Sequence, residues 1–167
     1  MPDIQQRGGS VEMGTEMMTR ADFKIERDVV IDAPVEVVWR TITEPDQISQ
    51  WFADRVELVL KPGGRGFMGF GDQGGPIVVE AVDPPNLFSF RWNHPDGEEP
   101  VAGNSMLVEF TLVSDGGDRT CLRVVESGLE LFAWPDAEKE RYAEEHRGGW
   151  GTFMDRLAKL LAERRRG

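Results

Sequence analysis

Three ionisable side chains, Arg27, His94 and Glu126, fall on the same two-residue parity as the hydrophobic residues around them. From Phe23 to Ile31 the odd positions read Phe, Ile, Arg, Val, Ile, and the even ones Lys, Glu, Asp, Val. That is the alternation of a half-buried strand with one cation on its apolar face. Phe88, Phe90, Trp92 and His94 share a second such face, and Leu122, Val124 and Glu126 a third. A charge turned inward is costly unless it is paired or hydrogen-bonded. Each of the three therefore either answers another buried group or is held for a ligand. Arg27 would orient an anionic or carbonyl-bearing molecule. His94, just before Pro95 at a strand end, would act as a hydrogen-bond partner or general base.

Stronger chemical signatures do not survive inspection. Gly64-Arg65-Gly66-Phe67-Met68-Gly69 matches the spacing of a dinucleotide-binding loop. Such a loop needs a helix to start there, so that its first amides meet the pyrophosphate, and Phe67-Met68-Gly69-Phe70-Gly71 reads as a glycine-softened strand instead. No G-x-S-x-G elbow is present. Cys121, the single cysteine, sits on a strand face beside Arg123 and reads as inert, and two histidines some fifty residues apart make no zinc cluster. Neither a metal nor a cofactor is expected. The chain has 167 residues, 40% of them hydrophobic, with 19 Lys and Arg against 30 Asp and Glu, a net charge of −11. That field argues against nucleic acid as a partner, and Arg164-Arg165-Arg166 reads as cations solvated at a helix C-terminus. With no apolar run near 18 residues and no signal-peptide pattern, membrane insertion is not expected and the location reads as cytoplasmic.

The elements that would hold these residues follow in close order. After the first strand, Pro34 suits a first helical turn, Asp32 is placed to cap it, and Val35, Val38, Trp39 and Ile42 recur at helical spacing. Thr43-Glu44-Pro45 restarts a second short helix with Ile48, Trp51 and Phe52 on its inner face. Six strands separated by Gly, Pro and Asp turns come next. From Asp136 the chain reads as one long helix with Tyr142, Trp150, Phe153, Leu157, Leu160 and Leu161 inward. Gly148, Gly149 and Gly151 each cost up to about 1 kcal/mol there. Close approach of the helix backbone to the sheet is the expected compensation. Residues 1–20 show no periodicity and read as a disordered tail, leaving 21–167 as a single domain.

This order, with IDAPVEVVW, the Trp51-Phe52 pair, KPGGRGFM, the Val82-Asp83-Pro84-Pro85 turn, Glu126-Ser127-Gly128-Leu129 and HRGGWGTFMDRLAKLL, resembles the heat-shock-protein-90 ATPase activator homologue-like family. That family belongs to the START-type (SRPBCC) helix-grip superfamily, with the birch-pollen allergens and the polyketide aromatase/cyclases. The resemblance covers residues 23–163. It implies an α+β helix-grip fold, a curved antiparallel sheet of about seven strands around the long C-terminal helix, with a cavity between them. Phe90, Trp92, Met106, Val108, Phe110, Trp150, Phe153 and Met154 are the candidate lining, with a fully packed interior as the competing expectation. In the resembled fold the first and last strands are neighbours, so Arg27 and Glu126 could neutralise one another. Arg27→Ala would then cost on the order of 3–5 kcal/mol. Three functions are implied: binding of a small hydrophobic, aromatic or polyketide-like molecule; a co-chaperone-like module with a protein partner; and a cavity enzyme of aromatase/cyclase type, for which no motif speaks. Residues 1–22 are too short for the extra N-terminal domain of full-length eukaryotic activators, so ATPase stimulation is not expected.

Overall fold

The computed structural model describes residues 23–93, 99–101 and 103–166. His94 lies outside them. The alternation of Phe23–Ile31 becomes β1 (Ile25–Ile31), and Val35–Thr43 and Pro45–Ile48 form the short helices α1 and α2. β2 (Arg55–Glu57), β3 (Arg65–Phe70), β4 (Gln73–Asp83), β5 (Leu87–Trp92), β6 (Met106–Ser114) and β7 (Thr120–Ser127) follow as successive hairpins. A single 31-residue helix, α3 (Asp136–Arg166), completes the chain. The strands form one antiparallel sheet in the order β1-β7-β6-β5-β4-β3-β2, with β1 carried back to the far edge. The fold is α+β and of the helix-grip type. An irregularity between Val79 and Ala81 bends the long β4, a device that curves a sheet.

The inward parity builds the core. Ile25 and Ile31 of β1, Phe88 and Phe90 of β5, Phe110 and Leu112 of β6, and Leu122 and Val124 of β7 are buried against Met154, Leu157 and Leu161 of α3. Ile42, Ile48 and Trp51 close one end, where the Trp51 indole N–H donates to the carbonyl of Thr41 at 3.0 Å. Gly64 and Gly66 are needed for packing: a Cβ at either would run into the carbonyl oxygens of Val59 and Glu57. The glycine-rich motif is thus strand β3 and its approach, as its composition indicates.

Three expectations change. Asp32 does not cap α1, whose N-cap is Pro34 with no side-chain hydrogen bond; the Asp32 carboxylate faces Arg165 at 3.4 Å. The terminal arginines are consequently more than a solvated run. Arg165 also reaches the carbonyl of Asp118 at 3.0 Å, and Arg164 the side chain of Gln47 at 2.7 Å, tying the end of α3 to two loops. Nor do the α3 glycines admit a neighbouring backbone. The space a Cβ would take at Gly148 and Gly149 is open, and at Gly151 the neighbour is the Arg27 guanidinium, 3.4 Å away.

Candidate functional site

Glu126 is the chemical centre of the molecule. Its position on β7 turns it inward, and none of its surface reaches solvent. Four donors converge on it. Oε1 accepts from the His146 ring Nδ1 at 2.7 Å and the Trp150 indole N–H at 2.9 Å; Oε2 accepts from the Tyr142 hydroxyl at 2.7 Å and the Trp92 indole N–H at 2.9 Å. Tyr142, His146 and Trp150 stand four residues apart, so one stripe of α3 presents all three to the carboxylate. Trp92 reaches it from β5, across β6. The Tyr142 and His146 rings stack at 3.8 Å between centroids.

Electrostatics favour the ionised form of this carboxylate. Burial opposes its charge, but the hydrogen bond and the charge of His146, followed by the bonds from Trp150 and Tyr142, outweigh that penalty and hold the Glu126 carboxyl below its ordinary range. Burial and the neighbouring anion push the Tyr142 phenol far upward, so it stays a donor. An ionised carboxylate only accepts, hence Nδ1 of His146 must carry a proton. In a neutral ring the acceptor is then Nε2, the arrangement that orients an imidazole for proton transfer.

Beside this network lies a half-open cavity of about 540 Å³. Phe52 and Trp150 stack at 5.0 Å, with Trp92 at 5.8 and 5.9 Å from them in near-parallel orientation. Phe70 of β3 and Phe153 of α3 meet Phe52 edge-on at 5.0 and 4.8 Å. The walls therefore come from five segments: the turn after α2, β3, β4 through Ile77 and Pro76, β5, and α3. Asp72 of the β3–β4 turn, Gln73 at the start of β4 and Glu145 of α3 supply polar lining. Gly149 leaves its stretch of wall without a side chain.

The sequence candidates separate into groups. Trp92, Trp150 and Phe153 line the cavity. Phe90, Met106, Val108 and Phe110 do not: all four are buried in the core, Phe90, Val108 and Phe110 within β5 and β6, and Met106 at the start of β6 opposite Trp92. Met154 is also buried and borders a shallower groove beside Arg27. Packed interior and cavity thus coexist in different places. Among the described residues, no cluster of His, Cys, Asp or Glu is arranged to hold a metal, and no helix is long and apolar enough to cross a membrane.

Arg27 requires a correction, since it is exposed and does not meet Glu126. Register sets Arg27 opposite Val124 and Glu126 opposite Ile25. No bulge shifts the strand. β1 is the sheet edge, so a long side chain on its inward face leaves over the rim, where Arg27 Nε donates to the carbonyl of Arg147 at 3.0 Å. Arg27→Ala should therefore cost about 1 kcal/mol or less in urea denaturation, one exposed hydrogen bond and no stranded carboxylate. Four further residues contribute that the sequence did not single out for the site: Tyr142, His146, Phe52 and Phe70. His146 had a usable signal, standing midway between Tyr142 and Trp150 on one helical stripe.

Comparison with known proteins places these features in context. A family model described as activator of Hsp90 ATPase homolog 1-like protein matches residues 32–162. Curated protein sequences give no match. Among solved structures, DynU16, a protein in the dynemicin biosynthetic locus, is similar at 28% identity and a TM-score of 0.68 over 83% of this chain; the chain spans 47% of that protein's length. MLL2253 from Mesorhizobium loti is similar at 28% identity and a TM-score of 0.68, over 84% of this chain and 97% of that one. The Aha1 dimer from Colwellia psychrerythraea, at 18% identity, shares the fold with a TM-score of 0.67 over 83% of this chain and 95% of its own.

Proposed function

The chain belongs to the activator of Hsp90 ATPase homolog 1-like family, and from that premise we propose that it reversibly binds a small hydrophobic molecule, aromatic or polyketide-like, in the cavity between the sheet and α3. One observation carries this reading: a cavity of about 540 Å³ with aromatic walls, within the size range of small-molecule sites. Its walls are preorganised. Trp92 and Trp150 spend their indole N–H groups on Glu126, so what they offer the cavity is apolar ring. Rings held in place before the ligand arrives lose little freedom on binding. The likeness to a protein of the dynemicin biosynthetic locus supports a ligand drawn from such biosynthesis. A protein partner would use other surface. Val30 and Val113 are exposed in register with Cys121, an apolar row of three side chains on the outer face of the sheet edge.

The neutral dye N-phenyl-1-naphthylamine provides the test. It should quench tryptophan emission saturably at one equivalent, because Trp92 and Trp150 stand in the wall. A response that is absent, or that climbs without saturating, removes this reading.

A further inference from the structure

The charge inventory of the cavity is one-sided. Among the described residues its lining contains two carboxylates, Asp72 and Glu145, and the imidazole of His146, but no lysine or arginine. A third carboxylate, Glu126, lies directly behind the aromatic wall. An anionic ligand would enter a cleft facing like charges with no lysine or arginine to receive it. A cation would meet the opposite situation.

The rings point the same way. Phe70, Trp92 and Phe153 come from three elements, and each is only partly buried, so each turns part of its surface to the cleft. Aromatic faces carry negative potential and attract cations, most strongly where water is reduced. An indole whose N–H donates to a carboxylate is polarised toward a more electron-rich ring, and Trp92 and Trp150 both donate to Glu126. Arg156 shows the attraction at the margin, with its guanidinium carbon 5.3 Å from the Phe153 ring centre. The other nearby cation on α3, Arg147, is engaged by Glu144 at 3.2 Å.

We infer that the ligand is an organic cation: an apolar or aromatic molecule bearing a protonated or quaternary amine, seated against Phe70, Trp92 and Phe153 with its charge toward Asp72 and Glu145. This rests on the cavity being the ligand site. It narrows the ligand from hydrophobic molecules in general to those with an ammonium group, and it excludes carboxylates, sulfonates and phosphates of the same shape.

Three probes of one shape test it by displacing N-phenyl-1-naphthylamine: benzyltrimethylammonium, its neutral carbon isostere neopentylbenzene, and the anion phenylmethanesulfonate. The cation should displace the dye at a concentration about tenfold below that of the neutral isostere, equivalent to about 1.4 kcal/mol. The sulfonate should not displace it. In the double variant Asp72→Asn, Glu145→Gln the advantage of cation over isostere should fall to about threefold or less. If the dye itself does not bind, the cavity reading beneath this inference falls. If the dye binds but the cation fails to displace it, or does no better than the isostere, the inference alone falls. A tenfold advantage that persists in the double variant overturns the role given to the two carboxylates.

Discussion

Glu126→Ala is expected to cost the fold on the order of 3–5 kcal/mol, measured as the loss of unfolding free energy in urea. The substitution removes the acceptor shared by four donors on two elements and leaves the Tyr142 hydroxyl, the two indoles and the His146 ring facing a void. Glu126→Gln keeps the volume and one acceptor but turns an amide N–H toward groups that also donate. It should cost less, about 1–3 kcal/mol. The pH dependence follows from the direction of the carboxyl shift. Because the folded state holds the Glu126 carboxyl below its ordinary value, the unfolded chain binds more protons in the window between the two. Stability therefore rises with pH across that window. The contribution is fully present above the unfolded value of about 4.3 and is lost as pH falls through the folded one. The stability gap between the natural chain and the Gln variant should accordingly shrink below about pH 4. A loss under about 1 kcal/mol for Glu126→Ala, or a gap that widens on acidification, would show that the carboxylate is not the keystone of this network.

Local pattern located most of the elements, and two of its failures share one cause. Alternation says on which side of a sheet a residue lies, but not how much protein covers that side. Arg27 and Glu126 have inward parity alike; Glu126 is enclosed by four donors from β5 and α3, whereas the long Arg27 side chain runs out to the Arg147 carbonyl and is exposed, although Ile25 and Ile31 on the same face of β1 are buried. Phe90 and Trp92 also share a parity, yet Phe90 is sealed in the core while Trp92 reaches the cavity. Depth along the strand separates them, and that depends on where α3 crosses. His146 was hidden differently. A histidine four residues from Tyr142 and from Trp150 is visible as part of a stripe, but only the carboxylate brought in from β7, some twenty residues earlier, shows what the stripe is for. Asp32 illustrates the reverse error: a residue with the right chemistry for a helix cap is drawn instead to Arg165, 133 positions away.

The glycines of α3 yield the sharpest separation of stability from function. Gly148 and Gly149 stand side by side in a helix where each costs up to about 1 kcal/mol relative to Ala, and neither has a heavy atom within 4 Å of where a Cβ would go. Close packing therefore does not explain them. They differ in what they face, since Gly149 lines the aromatic cavity and Gly148 the exposed groove beside Arg27. Gly148→Leu and Gly149→Leu should both fold, with thermal midpoints equal to or a few degrees above the natural chain. Only Gly149→Leu should lose the ligand, because its side chain occupies the space between Trp92, Trp150 and the β3–β4 hairpin. Dye affinity should fall at least tenfold in that variant and stay within about twofold in Gly148→Leu. Equal loss in both would mean that the glycines act through the helix backbone, and retention in both would mean that the dye sits elsewhere. The expected split would show that a residue unfavourable to the helix is kept at position 149 for the room it leaves.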